Sequence, residues 1–524
     1  MLAHEDHVSP FAGQDIASWL DGLARRRADH PFLIFAPFEG PRSTLTYAGF
    51  ADAVARVASG LAARGVRPGD RVLVHLENCP ETLIARFACA WLGAICVGSN
   101  ALAVGPEIAW FAESTGAVAA ITQPKFAAAV NAHCKGLRWI AVTETDVGAP
   151  PVERPARAES FAALFGEPLP RRAPDPFAPA SIMFTTGTTG RPKGAVWTHA
   201  NVLWGAKVNA AQQGMRADDV SQIFLPLYHV VGLSWCLHSA MWAGGTIVLQ
   251  PRFSASRYWD VAMEQRATVG GQVFFTLNAL EAAGIPRHNF RQWIVARHEP
   301  ARMARFGVDF VAGWGMTEML TQAIYCEPGA EAPEGVIGRP AQGYRVRVVD
   351  EAGARVRPGE AGRLMVGGVR GLSIFRDYFD AEKTTADAFD AHGYFDTGDR
   401  VVVGEDGWLR FGDRFKDVLK VGGEGVSASE IERVVNATPG VKECAVVAKP
   451  DRDYGEVPIA FVVPLPGLSP AAARALPEAV LARCRDNLAK FKAPREVRLL
   501  DALPMVGFGK VAKAKLREMA GEAG

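Results

Sequence analysis

A loop of threonine and glycine that follows directly on an apolar run constrains this chain more than any other feature. Residues 180–184 are apolar apart from one serine and predict a buried strand. Residues 184–194 then contain three glycines, four threonines, Arg191 and Lys193. Glycine lets the backbone bring its N–H groups close to an anion, and the hydroxyls and cations add donors and positive charge. The pattern predicts a strand end that cradles a polyphosphate, with a flexible surface loop as the alternative.

The loop differs from a Walker A sequence. That motif needs a serine or threonine directly after its lysine, whereas Gly194 and Ala195 follow Lys193. No hydroxyl is therefore placed to hold magnesium as it is in the P-loop NTPases.

Length, charge and cysteine spacing exclude several classes of protein. The 524 residues are too many for one ordinary core and predict two or more domains. A net charge of +1, with arginines interspersed among acids, argues against a nucleic-acid partner. The longest apolar stretch, 87–98, is too short for a membrane span. The polar start and eight scattered cysteines without Cys-x-x-Cys pairs predict a cytoplasmic protein with reduced thiols and no zinc site.

The alternation of helix and strand patterns changes along the chain. In the first half it is typical of parallel sheets covered by helices, with helices over 47–63 and 80–92 and strands over 71–76, 95–97, 118–122 and 139–143. Residues 149–180 are predicted to be a connector, and short strands after about residue 335 indicate a small β subdomain. A separate small domain is predicted at the end, with helices over 428–437 and 471–488 and strands over 444–448 and 459–463.

Four further motifs place chemical groups on glycine turns. Residues 312–318 combine an aromatic ring that can stack on a base with a carboxylate that can hold magnesium. Residues 394–400 place two acids beside a glycine, which suits ribose hydroxyls. Residues 411–424 mix charge with glycine as a hinge would, and residues 507–510 put a lysine on a glycine loop. Taken alone, each motif is better explained as an ordinary turn, a solvated loop or a surface acid.

Together, and in this order, the motifs resemble those of the adenylate-forming superfamily of acyl-CoA synthetases, peptide-synthetase adenylation domains and luciferases. The resemblance runs from about Leu45 to Lys515. It implies an α/β fold in two domains. The N-terminal domain, over 1–413, would combine several subdomains of parallel sheets flanked by helices with a small β subdomain. The C-terminal domain, over 414–524, would be small, mobile and α+β, and would carry the catalytic lysine.

The resemblance also implies a two-step reaction. A carboxylate attacks the α-phosphate of ATP to give an acyl adenylate and pyrophosphate, and the thiol of coenzyme A (CoA) then gives an acyl-CoA and AMP. The implied partners are a small-molecule carboxylic acid, ATP and CoA, with Mg²⁺ as cofactor. Two alternatives stay open: an adenylation enzyme that loads a carrier protein, and a non-catalytic nucleotide-binding protein. Dimers are common among such proteins, so a homodimer is one expectation.

Roles in nucleotide binding carry over from the resemblance by position. The loop residues that would bind the β- and γ-phosphates are Thr185, Thr186, Gly187, Thr188, Thr189, Gly190 and Lys193. Trp314 would stack on adenine, while Asp399 and Arg414 would bind the ribose hydroxyls. Thr317 would contact the α-phosphate, and Glu318 would be the ligand of the magnesium ion.

The C-terminal motifs receive the roles that involve domain motion. Lys510 would bridge the substrate carboxylate and the α-phosphate during adenylation, and would then withdraw to make room for the thiol. Lys416 matches the position of the hinge. Gly422, Gly423 and Glu424 would face the site during thioester formation and are the expected CoA-binding residues.

The chain departs from the pattern of the superfamily in three places. Where relatives carry Gly-Gly-Ala before the adenine loop, residues 293–300 read Trp-Ile-Val-Ala-Arg-His-Glu-Pro. Thr186 stands where serine is commoner, and Phe508 stands where a smaller residue is common. The sequence therefore leaves open which backbone groups near 293–300 meet adenine.

The acyl pocket is expected to be lined by Trp204, His229, Val230, Leu233, Trp235 and Gly315. Relatives that activate amino acids carry an aspartate at the position of Val230, so an amino acid substrate is not expected. Residues 75–81 and 489–494 are similar to the crotonobetaine/carnitine-CoA ligase branch, in which Trp204 and Trp235 would help to form an aromatic cage for a quaternary ammonium group. Alternatively, both tryptophans line an apolar pocket or pack in the core. His229 either gates the pocket as a catalytic residue or packs beside it.

Overall fold

A computed structural model describes residues 9–151, 158–185, 191–411, 418–506 and 510–521. The α-helices in this part of the chain are α1 (Ile16–Arg26), α2 (Tyr47–Ala63), α3 (Pro80–Leu92), α4 (Gly105–Thr115), α5 (Pro124–His133), α6 (His199–Gln212), α7 (Ser239–Ala243), α8 (Ala255–Glu264), α9 (Phe274–Ala283), α10 (Pro300–Phe306), α11 (Glu382–Asp387), α12 (Ala428–Asn436), α13 (Pro470–Asn487) and α14 (Lys513–Gly521). A 3₁₀ helix covers Phe161–Leu164, and a π-helix covers Val231–His238.

The strands before residue 330 are β1 (Pro31–Phe35), β2 (Ser43–Thr46), β3 (Arg71–His75), β4 (Ile95–Gly98), β5 (Ala119–Thr122), β6 (Trp139–Val142), β7 (Ala158–Ser160), β8 (Pro179–Thr185), β9 (Lys193–Thr198), β10 (Val220–Ile223), β11 (Thr246–Leu249), β12 (Val269–Gly271), β13 (Gln292–Val295), β14 (Asp309–Trp314) and β15 (Ile324–Tyr325). The later strands are β16 (Val336–Pro340), β17 (Arg345–Val349), β18 (Ala361–Gly367), β19 (Asp377–Tyr378), β20 (Tyr394–Val403), β21 (Leu409–Phe411), β22 (Val418–Val421), β23 (Glu424–Ser427), β24 (Val441–Asp451), β25 (Gly455–Pro464), β26 (Glu496–Leu499), β27 (Met505–Val506) and β28 (Lys510–Val511).

An eight-stranded sheet, in the order β19-β9-β8-β4-β3-β5-β6-β7, carries the predicted phosphate loop at the end of β8. Strands β3 to β8 that neighbour each other pair in parallel, which confirms the predicted alternation of helices and strands. The helices between them end where the sequence places a breaker: Gly93, at φ +86°, terminates α3. The segment over 149–180, predicted to be a connector, contains β7 and the 3₁₀ helix. β7 pairs in parallel with β6 at the edge of the sheet.

A thirteen-stranded sheet combines parallel and antiparallel halves in the order β17-β18-β20-β21-β16-β15-β14-β13-β12-β10-β11-β1-β2. Strands β10 to β14 pair in parallel, as crossover helices require. The predicted β-rich segment after residue 335 is antiparallel, but its strands β16, β17, β18, β20 and β21 continue this larger sheet, while β19 pairs with β9 in the eight-stranded sheet. The reason is that β15 pairs antiparallel with both β14 and β16 and so joins the two halves.

The C-terminal sheet has the order β23-β22-β25-β24, with β26 beside β25. Successive side chains of a strand point to opposite faces, and β24 is apolar on both: Val446 packs in a cluster with α12 and α13, whereas Ala445 and Val447 pack in a second cluster with Leu516 of α14. Both faces of the sheet are therefore covered by helices. The predicted helices and strands of this region are confirmed to within a few residues at each end.

Contacts divide the chain into two compact units. The first comprises Met1–Ala101, Phe111–Phe184 and Gly194–Arg414, and the second comprises Leu102–Trp110, Thr185–Lys193 and Phe415–Gly524. The domain limits at 413 and 414 stay a prediction, because residues 412–417 lie outside the described part of the chain. No disulfide bond joins any of the eight cysteines, all of which lie in the described part of the chain. No helix among the described residues combines the length and apolarity that a membrane crossing requires.

Candidate active site

The phosphate loop is bounded by two strand ends. Thr185 is the last residue of β8, and Lys193 is the first residue of β9. The predicted loop residues Thr186, Gly187, Thr188, Thr189 and Gly190 lie outside the described part of the chain. The loop therefore follows directly on the end of β8, as the sequence predicts.

A tryptophan that sequence reasoning missed holds the C-terminal flank of the loop. The indole Nε1–H of Trp110 on α4 donates to the carbonyl oxygen of Pro192 at 3.1 Å. The guanidinium of Arg191 lies over the same ring, 4.4 Å from its centroid. One side chain thus contacts both residues that precede Lys193. No sequence motif marks Trp110, because the two segments are about eighty positions apart.

The carboxylate of Glu318 is buried and held by a tyrosine. Glu318 is 1% exposed, and its Oε1 accepts a hydrogen bond from the Tyr378 hydroxyl at 2.7 Å. Burial and the neighbouring carboxylate raise the pKa of Tyr378 far above its ordinary value, so the phenol keeps its proton and donates. The backbone N–H of Phe375 donates to the Glu318 carbonyl at 2.7 Å. Sequence reasoning found the acid but not its partner, which lies sixty residues further along the chain.

The donor chemistry at Glu318 fits a magnesium ion that also binds substrate phosphates. Mg²⁺ prefers oxygen ligands and is usually bound by one or two carboxylates together with phosphate oxygens and water. Among the described residues no group of three or more His, Cys, Asp and Glu side chains is arranged to hold a metal by itself. Glu318 supplies one buried carboxylate of this kind.

Two predicted nucleotide-binding residues meet through one hydrogen bond. Trp314 is the last residue of β14 and is 4% exposed. Its indole Nε1–H donates to Oδ2 of Asp399 on β20 at 2.9 Å. The backbone N–H of Asp399 donates in turn to the Thr397 hydroxyl at 3.1 Å, and that hydroxyl donates to the carbonyl of Leu364 at 2.8 Å. The carboxylate predicted to bind ribose is thus oriented by the ring predicted to stack on adenine.

The turn after β14 requires glycine at position 315. A Cβ atom there would lie 2.2 Å from the Thr321 carbonyl oxygen and 2.6 Å from Cζ2 of Trp235, which no side chain tolerates. Thr317 on the same turn offers its carbonyl to the indole N–H of Trp197 at 2.9 Å. The turn is therefore fixed by close packing at Gly315 and by a hydrogen bond at Thr317.

A π-helix carries the predicted acyl-pocket residues. This rare form often occurs at functional sites. Val230 precedes it, and Leu233 and Trp235 lie within it, at 7%, 1% and 5% exposure. The backbone N–H of Leu233 donates to the carbonyl of His229 at 3.0 Å, while the half-buried His229 ring lies 4.7 Å from that of Tyr228. Val230, Leu233 and Trp235 are thus buried apolar side chains that follow His229 along the chain.

The two tryptophans proposed for an aromatic cage occupy different settings. Trp204 on α6 is half-buried, and a Cβ atom at Gly343 would lie 2.7 Å from its Cζ2. Trp235 is buried against Gly315. Within the described ranges, no ring contact joins Trp204 to Trp235. Trp235 thus packs as core, and Trp204 is the tryptophan that retains accessible surface.

The predicted CoA-binding residues form a tight turn in the second unit. Gly422 and Gly423 have φ values of +59° and +90° and join β22 to β23, where Val421 pairs with Glu424. The N–H of Gly422 donates to the carbonyl of Tyr454 at 2.8 Å. Tyr454 also lines a surface pocket of about 580 Å³ together with Lys449, Asp451, Arg495 and Glu496. The turn therefore adjoins a concave surface with both cations and acids.

Three further residues of the C-terminal motifs have predicted roles: Arg414, Lys416 and Lys510. Arg414 and Lys416 lie outside the described part of the chain. Lys510 is the first residue of the short strand β28, which pairs with β27, and its side chain also lies outside the described part. Their roles stay predictions.

A buried ion cluster in the second unit escaped the sequence reasoning. The ammonium group of Lys492, a residue that is 5% exposed, lies 2.5 Å from Oε1 of Glu107 and 2.8 Å from Oε1 of Glu430. Burial opposes the charge, but the two carboxylates prevail and raise the pKa of Lys492. Lys492 belongs to the phrase 489–494 that the sequence marks as branch-like. Only the fold shows its partners, because Glu107 is 385 positions away.

Comparison with known proteins agrees with the geometry. The model of the AMP-binding enzyme family matches residues 20–379, and that of the AMP-binding enzyme C-terminal domain matches residues 430–510. The chain therefore belongs to the AMP-binding enzyme family, and it is an acid–thiol ligase of the acyl-CoA synthetase class. This confirms the class inferred from the sequence motifs.

Individual relatives cover almost the whole chain. The crotonobetaine/carnitine–CoA ligase of Salmonella paratyphi A is 31% identical over 96% of this chain and 99% of its own. The o-succinylbenzoate CoA synthetase of Bacillus subtilis, solved with a product analogue, has a TM-score of 0.81 at 26% identity and covers 96% of this chain and 98% of its own. A fatty acyl CoA synthetase of Mycobacterium tuberculosis has a TM-score of 0.68 at 28% identity, with the same coverage.

Proposed function

We propose that the chain activates a small carboxylic acid with ATP and passes the acyl group to CoA, using the residues of the turn after β14 and their partners. The observation that carries this assignment is the 2.9 Å hydrogen bond from Trp314 to Asp399. Trp314 leads into the turn that carries Thr317 and the buried Glu318. A stacking ring, a hydroxyl and two carboxylates thus come from two strands of one sheet. That set matches the base, sugar and phosphates of one nucleotide.

In the first step an oxygen of the substrate carboxylate bonds to the α-phosphorus, and the bond from that phosphorus to the bridging oxygen of pyrophosphate breaks. Two anions must meet, so cations have to offset their repulsion and the charge that develops at phosphorus. Lys193 and Arg191 at the loop flank, with Lys510 from the C-terminal motif, are assigned this role. Thr317 is assigned to the α-phosphate, and Glu318 would hold Mg²⁺, which would neutralise phosphate charge.

In the second step the CoA thiol loses its proton to solvent and its sulfur bonds to the acyl carbon. AMP leaves with the electron pair of the carbon–oxygen bond. Gly422 and Gly423 have no Cβ atoms, so their turn allows the thiol-bearing arm of CoA to approach the backbone closely. Lys449 and Arg495 in the adjoining pocket provide positive charge for the CoA phosphates. The same pocket contains Asp451 and Glu496, whose carboxylates repel an anion that does not contact Lys449 or Arg495 directly.

The acid is assigned from the lining of the acyl pocket. Val230, Leu233 and Trp235 are buried and apolar. None of them can hold the α-ammonium group of an amino acid, and the position that carries aspartate in amino-acid-activating relatives is Val230. A carboxylic acid with an uncharged aliphatic or aryl tail therefore fits these apolar side chains.

A second candidate is an acid with a quaternary ammonium tail. The observation that favours it is the 31% identity to a crotonobetaine/carnitine–CoA ligase over 96% of the chain, together with a half-buried Trp204 whose ring can face a cation. Because Trp235 packs as core, any cation–π contact would come from Trp204 alone.

A panel of acids separates these candidates. Short aliphatic, medium aliphatic, aryl and betaine acids are incubated with ATP, Mg²⁺ and CoA, and AMP is measured. Apolar acids are expected to give the highest kcat/KM, and a Trp204→Leu variant is expected to leave them nearly unchanged. A strong preference for betaine acids that disappears in Trp204→Leu, but not in the control Trp242→Leu, would establish the second candidate. If no acid in the panel caused the release of pyrophosphate, both candidate functions would be contradicted.

We also propose a cytoplasmic location, since no disulfide bond joins the eight cysteines and seven of them are buried. A homodimer is proposed on family grounds alone and is tested by light scattering.

A further inference from the structure

A small cavity of about 30 Å³ lies in the first unit and shares Leu233 with the residues assigned to the acyl pocket. It is formed by α1, α3, the start of β8, α6 and the π-helix. All eleven residues that line it are at most 8% exposed. Most are apolar, among them Phe87, Trp197 and Leu233, but three are polar: Arg86, Ser181 and His238. A polar cavity in a core needs an explanation, because unpaired polar groups are strongly unfavourable there.

Arg86 is a buried cation without a carboxylate. It lies in the middle of α3 and is 8% exposed. Its guanidinium donates one hydrogen bond, from Nη2 to Sδ of Met183 at 3.1 Å, and thioether sulfur is a weak acceptor. Among the residues that the structure describes, no Asp or Glu side chain forms an ion pair with it. A guanidinium stays charged in proteins, so an anion or a polar ligand in the cavity would stabilise it.

The other two polar groups can both donate a hydrogen bond to the same space. Oγ of Ser181 and Nδ1 of His238 are buried and have no hydrogen-bond partner in the described part of the chain. Burial and the charge of Arg86 lower the pKa of His238 to about 3, so the imidazole is neutral at pH 7 and carries one N–H. Trp197 contributes no further donor, since its Nε1–H already donates to the Thr317 carbonyl. The cavity therefore combines one cation with two neutral donors.

We propose that this cavity is a binding site for one small monovalent anion, of the halide class, held by the side chains of Arg86, Ser181 and His238. The volume admits one or two species of the size of a water molecule, for which about 10–15 Å³ suffices. A tetrahedral oxyanion or a substrate carboxylate with its chain exceeds that space. A water molecule would satisfy the donors but would leave the charge of Arg86 without a counterion.

The position of the site explains what such an anion would do. Ser181 is on β8, the strand that ends at Thr185, and His238 ends the π-helix that carries Leu233 and Trp235. The anion would join α3 to both elements. It would act as a structural ligand beneath the strand and helix that present the active-site groups, not as a reactant.

Diffraction with bromide tests the site directly. Crystals of the full chain, grown in potassium gluconate and transferred to potassium bromide, are measured at the bromine absorption edge. An anomalous peak in the cavity, within about 3.5 Å of Arg86 and Ser181 nitrogen or oxygen atoms, is the expected result. Density without anomalous signal identifies water and overturns the proposal, as does an empty cavity.

Thermal unfolding supplies a second readout with matched variants. The wild type is expected to unfold about 2 °C higher in potassium chloride than in potassium gluconate of equal ionic strength, because an anion that binds the folded chain stabilises it. Arg86→Met should lose this difference, and Ser181→Ala should reduce it. The control Arg26→Met changes an exposed arginine at the end of α1 and should keep it. Equal unfolding temperatures of the wild type in both salts, together with no bromide peak, would sink the idea. If Arg86→Met does not fold, Ser181→Ala and the bromide peak decide.

Discussion

The two units of this protein hold their functional groups by different physical means. In the first unit, the carboxylates of Glu318 and Asp399 each accept a hydrogen bond from a buried aromatic side chain, Tyr378 or Trp314. In the second unit, Gly422 and Gly423 are defined by positive backbone φ values, and Gly423 is exposed. The comparison indicates that the carboxylates of the first unit are oriented before substrate arrives. In the second unit, the conformation of the glycine backbone defines the predicted binding surface.

The largest effect is expected from the C-terminal lysine. Lys510→Ala should lower adenylate formation about 10³-fold, because it removes a cation from the point where two anions react. Thioester formation from a supplied acyl adenylate should be nearly unchanged. The two half-reactions are measured by pyrophosphate release and by CoA consumption. The control Lys515→Ala changes an exposed lysine of α14 and should be neutral. Equal loss of both half-reactions would refute the role of Lys510.

The buried ion cluster tests whether the second unit also depends on oriented charge. Lys492→Met should destabilise the protein by about 3 kcal/mol, since it leaves Glu107 and Glu430 buried without their cation. A lysine whose pKa is raised by folding contributes stability at neutral pH that is lost only as the pH rises through that raised pKa. In the variant that contribution is absent at every pH.

The pH dependence of the same variant has a definite sign. Burial raises the pKa of Glu430, and Lys492 partly opposes that rise. Without Lys492 the pKa rises further, so the variant should regain stability as the pH falls and Glu430 takes up a proton. Denaturant unfolding at pH 8 and pH 5 measures this. If Lys492→Met lost the same free energy of unfolding at pH 8 and at pH 5, the electrostatic explanation would be contradicted. A packing defect would then explain the loss.

For the first unit, the comparison predicts that the carboxylate of Glu318 matters more than its support. Glu318→Gln should lower kcat for adenylation about 10²-fold and raise the Mg²⁺ concentration needed for half-maximal rate. Tyr378→Phe keeps the carboxylate but removes its donor, and should lower kcat about tenfold. If both variants showed the same Mg²⁺ dependence as the wild type, Glu318 would not be the metal ligand.

The Trp314–Asp399 hydrogen bond should appear as energetic coupling. Trp314→Phe keeps a ring for stacking but removes the indole donor, and Asp399→Asn removes the charge. Each should raise KM for ATP about tenfold, and the double variant should be little worse than either single variant, because both changes break the same contact. Strictly additive effects would show that the two residues bind the nucleotide independently.

The smallest effect is expected at the glycine turn. Gly422→Ala forces a side chain into the left-handed region at φ +59°, where its Cβ would also lie 3.3 Å from Tyr454. KM for CoA should rise about three- to tenfold, with pyrophosphate release unchanged. Gly467→Ala is the matched control, since its φ is +84° and no atom lies within 4 Å of the added Cβ. A similar KM for CoA in both variants would remove the turn from the CoA site.

Much of the local structure and the class of reaction could be predicted from the sequence. The predicted helix over 47–63 is α2, and the predicted strand over 180–184 lies within β8. Local patterns suffice there because apolar periodicity and glycine or proline stops act over a few residues. The motifs of the turn after β14 and of Asp399 were found in the same way, since each is a short run with its own chemistry.

The tertiary structure alone decided which groups meet. Tyr378 beside Glu318, Trp110 beside Pro192 and Lys492 between Glu107 and Glu430 are contacts between segments that are 60 to 385 positions apart. Likewise, the continuity of the β-rich segment with the thirteen-stranded sheet depends on β15 pairing on both sides. A sequence determines which side chains are available at each turn, whereas burial and hydrogen-bond partners depend on how distant strands come together. For that reason the chain by itself specified an acid–CoA ligase, and only the fold showed how its charges are held.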